Sequence, residues 1–145
     1  MTLKTCAVTI FSFLLSIGLI ECNSKVKTPQ QSSAVGNYEY SGYDKSGNKI
    51  VSGQIEITST EADRIKGRWQ LKAVTSAKDI GPQTGTGNLT GEINQDSVTI
   101  SLNPNMADNN VTLAGKIAGK NFKGNWSFSG FAGVINQGSF EAKRK

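Results

Sequence analysis

Phe122-Lys123-Gly124-Asn125-Trp126-Ser127-Phe128 is the stretch that decides the fold. Its large apolar side chains at 122, 126 and 128 share one parity with Gly124, while Lys123, Asn125 and Ser127 take the other. Period-two alternation of this kind marks a strand with one buried and one wet face. The same pattern stands earlier in the chain as Ile65-Lys66-Gly67-Arg68-Trp69-Gln70-Leu71. A second echo, Gly-x-Ile, recurs at Gly53, Gly91 and Gly115.

Outward from these segments the alternation predicts strands over 38–43, 50–58, 65–74, 86–94, 97–102, 110–118, 122–129 and 137–143, about eight in all. Turn residues separate them: Asp44 to Asn48, Asn94 to Asp96, and Gly119 to Asn121. Gly53, Gly67, Gly91, Gly115, Gly124 and Gly138 all fall on the inward parity. Glycine inside a strand usually weakens it, but on the concave side of a tightly curved sheet it relieves crowding. The expectation is an all-β, antiparallel up-and-down meander closed into a small barrel over residues 37–145.

The Gly-x-Trp elements at Gly67-Arg68-Trp69 and Gly124-Asn125-Trp126 resemble those of the calycin group of barrels, which includes lipocalins and avidins. Those families carry the element in the first strand, whereas here it falls in the third and seventh. The resemblance therefore implies a barrel with an interior site and transfers no ligand-contact residue.

The N-terminal segment has a different character. Cys6 to Ile20 is uncharged and mostly apolar, long enough for a signal-peptide core and short for a bilayer span. Residues 1–21 are expected to be a signal peptide. Leu19-Ile20-Glu21-Cys22 resembles a bacterial lipobox, with Glu21 where that family normally has a small residue. The resemblance implies that Cys22 becomes the first mature residue and carries acyl chains, anchoring the protein in a bacterial cell envelope. A plain secretory cut nearby is the alternative. Residues 22–36 are polar and aperiodic and are expected to be a flexible tether.

Composition excludes several functions. The chain has no histidine, which removes the usual Ser-His-Asp and Cys-His machinery and imidazole-ligated metal sites. Both cysteines, Cys6 and Cys22, lie in or beside the leader, so the body has no thiol chemistry. The net charge is +5, but the basic residues are scattered and the chain is exported, so nucleic acid is not expected as a partner. The Asn- and Asp-rich run 103–110 fits no calcium-loop spacing, and the carboxylates form no sequence-readable acid–base pair. No metal, cofactor or catalytic residue is assigned.

Trp69, Trp126, Tyr38, Tyr40 and Phe128 share the inward parity. Either they wall a ligand pocket, or they fill a core. The loops 75–85, 103–109 and 129–136 are long and fall at one end of a meander, which makes that end the expected mouth. Gly81, Gly85 and Gly87 suggest that the first of these loops is mobile. Phe131 lies in an apolar stretch of the third, as either a portal or partner contact or a hairpin tip folded down as a plug. The expected function is an exported, non-enzymatic binding protein that engages a small apolar ligand or a protein at the long-loop end. A loop-mediated inhibitor or surface interaction lipoprotein with a filled barrel is the alternative, and a carboxylate-based hydrolase or isomerase is the third reading.

Overall fold

A computed structural model describes residues 34–76 and 80–145. The expected signal peptide, Cys22 and most of the tether lie outside the described residues. The chain runs through β1 (Gly36–Tyr43), β2 (Lys49–Glu61), β3 (Arg64–Ala73), β4 (Gly85–Asn94), β5 (Ser97–Ser101), β6 (Asn109–Ala118), β7 (Asn121–Gly130) and β8 (Gly133–Arg144). Each strand pairs antiparallel with the next, and β8 pairs back onto β1 from Tyr38↔Arg144 to Tyr43↔Ser139. The protein is a closed up-and-down barrel of eight strands, as the alternation predicts.

The alternating apolar residues form one continuous core. Ile55, Ile57, Ile65, Leu89, Ile100, Leu113, Phe122 and Phe140 are all buried there. Tyr40 stacks on Phe140 with ring centroids 5.8 Å apart, and Phe122 meets Phe140 edge-on at 4.7 Å. Such aromatic pairs add to the burial of apolar area, which dominates the stability of the fold.

The inward glycines mark where strands cross closely. Gly115 and Gly124 face each other in register. A β-carbon on Gly124 would strike the Ala114 carbonyl, and one on Gly115 would strike the Lys123 carbonyl. The strands coil this tightly because neither position has a side chain.

Tight two-residue turns close one end. Ala62-Asp63, Gln95-Asp96 and Gly119-Lys120 each begin with a left-handed residue, at φ of 53°, 57° and 60°. Both described chain ends lie here too: the Lys145 amide donates to the Asn37 carbonyl at 3.0 Å, and the Arg144 amide to the Lys120 carbonyl at 2.7 Å. The longer connections 44–48, 74–84 and 102–108 gather at the other end, the mouth. Asp44 organises the first of them. Its carboxylate accepts from the Asn48 side chain and from the backbone amides of Ser46 and Asn48, and these bonds, led by that from the Asn48 side chain, lower its pKa.

Two details depart from the sequence reading. The expected loop 129–136 is instead a hairpin, with β7 and β8 paired out to Gly130↔Gly133 around Phe131-Ala132. Glycines flank the turn, and Gly133 takes a φ of +107° that few other residues adopt. The last residues of the span expected to be a tether also contact the barrel. Ala34 is buried, its carbonyl accepts the Tyr38 hydroxyl at 2.7 Å, and Gly36 already belongs to β1.

Candidate functional site

The mouth is where sequence places the site, and residues 80–84 close it. Gln83 is the buried polar residue of the described chain, with 0% of its surface exposed. Its Nε2 donates to the Ile80 carbonyl at 2.7 Å, and its Oε1 accepts from the Tyr40 hydroxyl at 3.4 Å. Ile80 and Phe128 pack against the core from above, and Gly81 lies so close over the Phe128 ring that a β-carbon there would clash. The segment that glycine content marks as mobile is therefore the plug. Burial without a charged neighbour raises the Tyr40 hydroxyl pKa far above its ordinary value.

The two tryptophans use one device twice. On β3, Trp69 faces Gly87 of β4, and its indole N–H donates to the Leu102 carbonyl just past β5, at 2.7 Å. On β7, Trp126 faces Gly138 of β8, and its indole N–H donates to the Tyr43 carbonyl at the end of β1, again at 2.7 Å. In each case the ring passes a glycine on the next strand and bonds where the following strand leaves the ladder. The Gly-x-Trp echo is thus a structural repeat by a shift of four strands. The Gly-x-Ile echo is not, because Trp69 and Trp126 put Ile57, not Gly53, in register with Gly115.

The candidate residues are therefore not brought together. Tyr40 bonds to Gln83 of the plug and Phe128 lies against its Gly81, while Tyr38 faces the opposite end, where burial raises its hydroxyl pKa and Arg144 partly opposes the rise. Trp69 and Trp126 are clamped to backbone carbonyls. No buried side-chain nitrogen or oxygen lacks a partner among the described residues. Sequence reading missed Gln83 because a glutamine between Pro82 and Thr84 carries no periodic signal for burial.

Open concavities lie outside the barrel. One of 420 Å³ is lined by Asn37, Gln54, Glu56, Arg68, Gln70 and Thr86, side chains on the wet parity of β1 to β4. Glu56 and Arg68 pair there at 2.9 Å, directly opposite in register. The described carboxylates are likewise outside the core, and no cluster of three potential metal ligands occurs among the described residues.

Phe131 stands apart from all of these. It is 97% exposed at the tip of the β7–β8 hairpin, so it does not plug the barrel. Val134 and Ile135 beside it are 60% and 53% exposed, and Val74 and Met106 are exposed on neighbouring mouth connections. At the other end Val35 is the exposed large apolar residue of the described chain. Neither protein-family models nor curated proteins gave a match to this sequence.

Proposed function

We propose that this chain is an exported, non-enzymatic binding protein, lipid-anchored through Cys22, that works through the outside of its long-loop end. The observation that carries the reading is the filled and sealed interior. Both indoles, both buried tyrosine hydroxyls and the Gln83 amide are already bonded to protein atoms. A ligand entering the lumen would have to displace Gln83, Ile80 and Phe128 together. The eight-stranded meander encloses a filled core and not an open cup. Of the alternatives, the interaction protein with a filled barrel is favoured over the hydrolase, because the described carboxylates do not converge in the interior.

The polarity of the barrel favours an outward-facing mouth. Cys22 lies upstream of Ala34, and Ala34 is at the tight-turn end. An anchor there leaves the mouth facing away from the membrane. Native mass spectrometry of the chain purified gently from its source tests the sealed interior. The expected mass is that of the polypeptide with its lipid. A co-purifying small molecule that quenches tryptophan fluorescence would overturn the reading.

A further inference from the structure

We propose that the β7–β8 hairpin is the docking element and that its occupant is a protein, which lays an extended segment along the open edge of β8 and receives the Phe131 ring in an adjoining apolar pocket. The proposal deepens the reading above, on which it rests.

Four observations on one hairpin converge. Phe131 is almost wholly exposed on a two-residue turn whose strands pair out to the tip. A rigid aromatic presented this way loses little freedom on binding, which is what makes a good anchor. Val134 and Ile135 extend the apolar surface. The register leaves Ile135 as an extra residue between Phe128↔Asn136 and Ser129↔Val134, and its side chain lies over Gly130. Such a bulge re-aims side chains near a strand end.

Charge is the third observation. Every residue from Gly124 to Phe140 is uncharged, in a chain of net charge +5. Covering the tip strips no ion of its water; the charges nearest the hairpin's edge are Asp44 and Lys45, which flank Gln137 and Gly138 across a shallow cleft.

The fourth is the edge itself. The last β1–β8 pair is Tyr43↔Ser139, and the Tyr43 carbonyl closes over Gly138, so Gly133 to Gln137 have β7 on one side and no strand paired on the other. The Gln137 amide donates to the Asn136 Oδ1 at 2.8 Å, a local substitute for a ladder bond. An extended peptide added to such an edge gains backbone hydrogen bonds.

These features discriminate among occupants. A bilayer would take Phe131 but offers nothing to the amides of an open edge. A second copy would have to pair β8 with β8 across the Ile135 bulge, which interrupts the ladder at its centre. The corresponding edge in the first half, Gly85 to Leu89 beyond Thr90↔Ser101, faces a 290 Å³ cleft flanked by Pro82 and Pro104. Proline has no N–H to offer there, and no exposed aromatic accompanies that edge.

The test is site-specific photo-crosslinking in intact source cells, with benzoylphenylalanine replacing Phe131, Gln137 or, at the opposite end, Lys120 in the full chain. Phe131 and Gln137 are expected to give an adduct with the same protein, and Lys120 none. With that protein purified, Phe131→Ala should weaken binding at least about tenfold. Gln137→Pro, which removes the edge amide and its bond to Asn136, should weaken it at a temperature well below the variant's own melting point. The proposal is overturned by no adduct at Phe131, by adducts only with lipid or with a second copy, or by unchanged affinity in both variants. Those outcomes leave the sealed interior standing, whereas a co-purified lumen ligand would remove the foundation itself.

Discussion

The halves β1–β4 and β5–β8 share a core device and differ at their tips. Each places a tryptophan beside a glycine and ties the indole to a carbonyl two strands away. In the first half, residues 80–84, which lead into the fourth strand, fold inward and bury Gln83. In the second, the third and fourth strands are joined by Phe131-Ala132, which point outward. The repeat maintains the barrel, and the departure from it is where a partner-facing surface arises. Loops set on a rigid scaffold commonly carry function for this reason.

The sharpest way to break the equivalence is at the two clamp glycines. A β-carbon on Gly138 would meet the Trp126 Nε1 at 2.7 Å and also strike the Tyr43 carbonyl, which is fixed backbone. For one on Gly87 the nearest atoms all belong to the Trp69 ring, at 2.8 Å. Trp69 is 7% exposed and has some room to yield, whereas Trp126 is fully buried. Gly138→Ala is expected to cost about 3 kcal/mol or more, and Gly87→Ala about 1–2 kcal/mol, in urea unfolding. Equal losses would mean that the two clamps are not distinguished by their surroundings.

The tips come next. Gln83→Ala removes the bond to Ile80 and leaves the Tyr40 hydroxyl without its acceptor, so a loss of about 1–3 kcal/mol is expected. Phe131→Ser touches nothing that packs, and its effect on the midpoint should stay within about 0.5 kcal/mol. A large loss from Phe131→Ser would turn the hairpin from a presented surface into a structural element.

Much of this contrast was legible in the sequence, and the missing part has a physical cause. Ile65 to Leu71 and Phe122 to Phe128 announce their strands because burial on one face forces alternation. The inward glycines announce closure because only a tightly coiled sheet tolerates so many. The tips obey no period. Residues 129–136 read as a loop because Gly130 and Gly133 look like breakers, when they instead frame a two-residue turn. Gln83 draws no attention in the sequence because nothing local records that Tyr40, 43 positions earlier, bonds to it. The contact that buries Gln83 is long-range, and a single sequence carries no trace of it.

Tyr38 and Tyr40 extend the comparison from halves to ends. Burial raises both hydroxyl pKa values above the ordinary value near 10, with Arg144 partly opposing the rise at Tyr38. The unfolded chain releases these protons near pH 10 while the folded chain retains them. Stability is therefore fully present below about pH 10 and falls as pH rises beyond it. Tyr40→Phe should lose less stability than the parent between pH 9 and about 11, measured by denaturant midpoints. Tyr38→Phe should show the same sign with a smaller change. A parent whose midpoint is flat across that range would contradict the burial of Tyr40.

A change of opposite signs is expected at the tight-turn end, where the four-strand shift brings Ala62 into correspondence with Gly119. Both open a two-residue turn in the left-handed region, at φ of 53° and 60°. An L-residue there brings its β-carbon against the backbone and costs about 1–2 kcal/mol, whereas glycine avoids the contact. Glycine also has more freedom to lose on folding, which takes back part of the gain. Ala62→Gly should therefore raise stability by about 0.5–1 kcal/mol, and Gly119→Ala should lower it by a similar amount. The signs must be opposite if the two turns are equivalent. A loss in both variants would show that the Ala62 methyl contributes packing that Gly119 lacks, and the correspondence between the halves would then stop at the tryptophans.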